Sequence, residues 1–76
     1  MTEKLPRVTA SDVVKALQRL GFFLVRQSGS HRIFKNDRGR RVTIPYHSGK
    51  TLHPKLLQSI LRDADLTIEN FRELLK

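Results

Sequence analysis

The 76-residue chain contains no cysteine, no apolar run near the length of a membrane helix and only seven acidic residues. Without cysteine there is no disulfide scaffold, no thiolate metal site and no cysteine nucleophile, and the composition fits a reducing compartment, so a cytoplasmic location is expected. A membrane span needs ~20 consecutive apolar residues, and the N-terminus lacks the apolar core of a signal peptide, which leaves no membrane role. A chain this short buries only about 60% of the surface that its unfolded form exposes. Residues 1–76 are therefore read as one domain with a modest core and no deep cleft for a large cofactor. No cofactor is expected, and any chemistry has to sit on an open surface. Internal repeats and low-complexity segments are also missing.

Positive charge is what the chain has in excess: 15 Lys and Arg against 7 acids, a formal net charge of +8. It is concentrated in the middle. Residues 26–55 hold Arg26, Arg32, Lys35, Arg38, Arg40, Arg41, Lys50 and Lys55 against Asp37 alone, eight cations less one acid, so that segment supplies +7. Such a concentration points to a surface that meets a polyanion. A charge excess by itself fits a solvated face equally well. The three histidines, His31, His47 and His53, lie in the same segment and tilt the reading toward function.

Hydrophobic spacing orders the chain. Residues 1–8 form an irregular lead. Ala10, Val13, Val14, Leu17 and Leu20 recur at helical intervals after an N-cap at Thr9 with Asp12 three residues on, and Gly21 suits a left-handed C-cap. Phe22–Gln27, His31–Lys35 and Arg41–Ile44 read as three short strands, joined by turns at Ser28-Gly29-Ser30 and Asn36-Asp37-Arg38-Gly39. Pro45 cannot donate a ladder hydrogen bond, so the third strand ends there or runs along an edge. Pro54 opens a second helix with Leu56, Leu57, Ile60, Leu61 and Ala64 on its apolar stripe, and Thr67 opens a short third helix with Phe71, Leu74 and Leu75 inward. The fold class is α+β: α-β-β-β-α with a short C-terminal helix, a three-stranded antiparallel sheet covered by helices on one face, as in a double-stranded RNA-binding-type domain. Alternation in the second strand puts His31, Ile33 and Lys35 on one face and Arg32 and Phe34 on the other. Phe34, Val42 and Ile44 are expected in the core. Ile33 is then either exposed beside His31 or turned inward by a bulge.

The runs Gly21 to Phe34, Gly39 to Pro45, His47 to Lys50 and Leu56 to Leu61 resemble the HicA toxins of bacterial and archaeal toxin-antitoxin systems. The resemblance covers nearly the whole chain from about Thr9, and its most specific element is Gly29-Ser30-His31 at a strand start followed by Arg41-Val42-Thr43-Ile44-Pro45. It implies a metal-independent endoribonuclease acting on mRNA, silenced by a HicB-type antitoxin, with His31 in the place of the catalytic histidine. Two departures stand out: Asp65 and Ser11-Asp12 occupy places where the family often has Gly and Gly-Lys. Both lie away from His31.

The chemistry suits these residue types. Metal-free RNA cleavage can use the ribose 2′-hydroxyl as nucleophile on its own phosphate, which requires a proton acceptor, a proton donor and cations near the phosphorus. Histidine as a residue type, with an ordinary pKa of ~6.5, serves either proton step near neutrality. Tyr46, His47 and Lys50 are candidates for a second group. Gly29 and Ser30 allow a tight turn where a phosphate can approach the backbone, and Arg32, Lys35 and Lys50 can stabilise developing charge. Arg26, Arg38, Arg40, Arg41 and Lys55 are read as phosphate contacts, which position RNA without selecting sequence. His47 and His53 lack the acids or cysteines of a zinc site, so no metal is expected, and His53 is read as a loop or cap residue. The other readings are a non-catalytic RNA-binding module of the same fold and, more weakly, a helix-turn-helix DNA binder, since strands carry most of the charge. The chain alone is taken as a monomer.

Overall fold

The computed structural model describes residues 6–47 and 49–76. The order is α1 (Ala10–Arg19), β1 (Phe23–Ser28), β2 (His31–Lys35), β3 (Arg41–Pro45), α2 (Pro54–Asp63) and α3 (Ile68–Leu75). The three strands form one antiparallel sheet with β2 in the centre. This is an α+β architecture consistent with the double-stranded RNA-binding type. Residues 1–5 of the expected lead lie outside the described residues. Val8 belongs to the core, and its carbonyl accepts the Leu52 N–H at 2.8 Å, which ties the lead to the loop before α2.

Each helix begins where its capping chemistry dictates. Thr9 and Asp12 form a reciprocal capping box on α1, the His53 ring nitrogen accepts the Lys55 N–H on α2, and the Thr67 hydroxyl accepts the Asn70 N–H on α3. Such caps satisfy N–H groups that the first helical turn leaves orphaned. One buried cluster joins Val13, Ala16 and Leu17 of α1, Leu57, Ile60 and Leu61 of α2 and Phe71 of α3 to Phe34, Val42 and Ile44 of the sheet. The helices thus cover the face that carries Phe34. Leu20, expected on the apolar stripe of α1, is 41% exposed, because it is already the C-cap and lies beyond the last turn that packs. Phe22, expected as a strand residue, is buried before β1 starts. It is the residue after the left-handed Gly21, and its N–H returns to the Leu17 carbonyl at 3.0 Å.

Helices α1 and α2 end on the same hydrogen-bond pattern. The Phe22 N–H reaches Leu17 O and Gly21 N–H reaches Gln18 O; likewise the Leu66 N–H reaches Leu61 O at 2.8 Å and Asp65 N–H reaches Arg62 O. This is the Schellman motif, which needs a left-handed residue after the cap. Gly21 supplies it at φ +94° with nothing within 4 Å of where a Cβ would stand, whereas Asp65 adopts φ +59°. The departure at Asp65 is therefore a strained backbone position. Its carboxylate stands 3.8 Å from the Arg40 guanidinium, an exposed and weak pair. Asp65→Gly is expected to raise the stability by up to about 1 kcal/mol, and Gly21→Ala to lower it by about 1–2 kcal/mol. Thermal unfolding of both variants checks this; a lower Tm for Asp65→Gly would show that the pair with Arg40 outweighs the backbone strain.

Candidate active site on the open sheet face

The β1–β2 hairpin turns on two residues, Gly29 and Ser30, with Ser28 paired to His31. Gly29 has φ +58° while Ser30 stays at negative φ, the pattern of a type II′ turn, in which glycine takes the first loop position. His31 comes next as the first residue of the central strand, exposed and flanked by Ser28 and Pro45. The ladder continues past Pro45, where the Tyr46 N–H donates to Ser30 O at 2.6 Å. The chain then enters the loop that holds His47 and Lys50, whose N–H reaches the His47 carbonyl at 3.3 Å. Gly29, Ser30, His31, His47 and Lys50 are thereby gathered at one end of the sheet.

Strand pairing fixes the rest of this face. Behind the His31 row lies the row Arg26, Ile33 and Thr43, and behind that the row Phe23, Lys35 and Arg41. Strand β2 is regular, so Ile33 stays on the His31 face, half-buried between its neighbours. The irregularity is in β1. Its register shifts between Leu24 and Arg26, leaving Val25 as an extra residue. Such a bulge re-aims the side chains on one side of it relative to the other. Arg26 and Ser28 face outward with His31, and on the other side of the bulge Phe23 does too. Were Val25 a regular member of the alternation and not a bulge, parity from Arg26 would turn Leu24 outward and Phe23 inward.

Arg26, Lys35 and Arg41 carry no ion pair among the described residues, and no acidic residue stands in these three rows. Two other predicted cations, Arg32 and Arg40, are engaged elsewhere. Arg32 lies on the Phe34 face, its guanidinium 3.7 Å from the centre of the Tyr46 ring. Arg40 donates to the Asp63 carbonyl at 3.2 Å and pairs with Asp65, so its head group sits at the C-terminus of α2, where a cation is electrostatically favoured. Lys35 and Arg41 stand four residues along the strands from the His31 row, about 13 Å at the usual rise. His53 is held as the α2 cap.

Sequence reasoning did not single out Phe23. It is 49% exposed, unusual for a phenylalanine, and it stands in one row with two cations. The available signal was the doubled Phe22-Phe23 after a helix-stop glycine, of which the core takes only the first. No helix of the described residues is long and apolar enough to cross a membrane.

The family model described as the HicA toxin of bacterial toxin-antitoxin systems matches residues 10–66. Comparison with curated proteins finds no match.

Proposed function

The chain belongs to the HicA toxin family of bacterial toxin-antitoxin systems, and we propose that it exerts its toxicity by cutting mRNA, with His31 as a proton-transfer group. The observation that carries this reading is an exposed histidine at the end of a sheet face bearing three cations without an ion pair among the described residues, and no acid. A phosphate seated at the Gly29-Ser30 turn lies within reach of backbone and ring together. In the reaction, a base removes the 2′-hydroxyl proton, the 2′-oxygen attacks the adjacent phosphorus and the 5′-oxygen leaves with a proton. His31 serves one of the two proton transfers. The Arg32 stack holds the Tyr46 ring on the opposite side of the strand, which favours His47 or Lys50 for the other. Lys50 also offers charge to the phosphorane.

Arg26, Lys35 and Arg41 hold the backbone of the RNA to one side of the cut, with Gly29 and Ser30 at the scissile phosphate. Arg32 and Arg40, already engaged with protein groups, contribute through the positive field. An antitoxin of the HicB type would silence the toxin by covering this same face, in the cytoplasm where its RNA substrate lies. Incubation with RNA in excess EDTA should yield fragments with 5′-hydroxyl ends; RNA that is bound but stays intact would leave a non-catalytic RNA-binding module.

Phosphate binding adds a second expected result. Counterion release makes affinity fall with salt, with a log–log slope of about 0.7 per single-strand phosphate contact. Replacing Arg26, Lys35 or Arg41 by Ala should lower that slope by roughly 0.7–1 each, while Lys15→Ala on the exposed side of α1 should leave it unchanged. Anisotropy titrations across a salt series measure it, and equal effects from all four would assign the charge to general solubility.

A further inference from the structure

We infer that Phe23 is a stacking platform for an unpaired base, and that the proposed nuclease therefore acts on single-stranded RNA and not on duplex. This rests on the reading of the open face as the RNA surface. Strict alternation along β1 from Arg26 would place Phe23 on the helix side, but the bulge at Val25 breaks that alternation and leaves Phe23 on the side of His31, opposite Lys35 and in line with Arg41. The adjacent Leu24 faces the Phe34 side instead. The sheet thus holds an aromatic ring outward, apart from the core, beside two cations that no acid among the described residues neutralises.

A flat apolar ring next to backbone-binding cations fits a strand whose bases are splayed outward, because any base can stack on it while its phosphates meet Lys35 and Arg41. A duplex offers the opposite surface. Its bases are stacked inside and its exterior is sugar and phosphate, so that polar surface would lose water against the Phe23 ring without gaining a hydrogen bond, and the ring would find no base to stack on. The separation is also suitable: about 13 Å along the strands divides the Phe23 row from the His31 row, so the platform grips the strand a short distance from the cut and can hold it in register. An acidic protein partner could meet the same cations, but a splayed base matches the flat Phe23 ring by stacking while its phosphates meet Lys35 and Arg41, which favours RNA as the occupant.

The sequence contains no tryptophan, so Phe23→Trp introduces a single reporter at the platform. With His31→Ala added to prevent cleavage, binding of a single-stranded oligoribonucleotide should quench the emission of Trp, and a hairpin duplex of the same length should not. Phe23→Ala should weaken single-strand affinity between about fivefold and a hundredfold, with duplex affinity and the salt slope unchanged. Leu24→Ala, of similar exposure on the other face, serves as the control. Unquenched emission at saturating RNA, equal cutting of single strand and duplex, or undiminished affinity of Phe23→Ala would each overturn the inference while leaving the ribonuclease reading intact. Normal RNA affinity combined with loss of antitoxin binding would assign Phe23 to the protein interface and overturn it too. Failure of the unsubstituted protein to bind RNA at all would remove both.

Discussion

His31→Ala should reduce RNA cleavage by about a hundredfold to ten-thousandfold, the range that a positioned proton-transfer group contributes. The size of the effect comes from position. His31 is exposed, it stands at the start of the central strand beside a turn, and no hydrogen bond or ion pair among the described residues engages its side chain. A group so free of structural duty can be removed with little change in packing, so far-UV circular dichroism, Tm and antitoxin affinity should stay close to those of the unsubstituted protein. RNA affinity should also hold, since the cations remain, and the loss should fall on the rate of the bound complex. Single-turnover cleavage with excess enzyme separates the two. Retained cleavage would move the proton transfer to His47 or Lys50, both on the loop at the same end of the sheet, and sink the assignment of His31.

How far the sequence discloses this site depends on whether the signal is local. Thr9 with Asp12, Gly21, Pro54 and Thr67 act within one helical turn, and all three helices begin where these residues place them. Strict alternation in β2 correctly separates His31, Ile33 and Lys35 from Arg32 and Phe34. Alternation fails in β1, because one inserted residue reverses the faces on one side of it and Val25 carries no glycine to mark the bulge. That is why Phe23 escapes notice. Arg40 reads as one more cation in a basic run, while its partners, Asp63 and Asp65, lie more than twenty residues away. Charge counting sees neither pairing nor direction. The departure at Asp65, remote from the chemistry, turns out to occupy a left-handed position that tethers Arg40 to the end of α2.

The second large effect concerns the part of the chain beyond the matched residues 10–66. Phe71→Ala should destabilise the fold by about 3–5 kcal/mol, as deletion of a buried aromatic does. Phe71 is 0% exposed and belongs to the same cluster as Leu17, Phe34 and Ile44. Helix α3 has only eight residues, too few to persist without tertiary support. Its further fastenings are the partly buried Ile68, Leu74 and Leu75, packed against the core, and Arg19, whose guanidinium donates to the Leu74 and Lys76 carbonyls at 2.6 Å each, binding α1 to the end of α3. Loss of the ring therefore opens a cavity under α1 and leaves α3 held only by its partly buried Ile68, Leu74 and Leu75 and by Arg19. For a domain of this size each kcal/mol shifts Tm by roughly 4–8 °C, so a fall of at least about 12 °C is expected, a large share of the total stability of a small fold. Glu69→Ala on the exposed side of α3 should change Tm little. Well below the lowered Tm, the folded fraction of Phe71→Ala should cut RNA at the normal rate, since Phe71 lies beneath the sheet and not on the His31 face. A Tm within a few degrees of the unsubstituted protein would mean that α3 is an appendage and that the core closes without it.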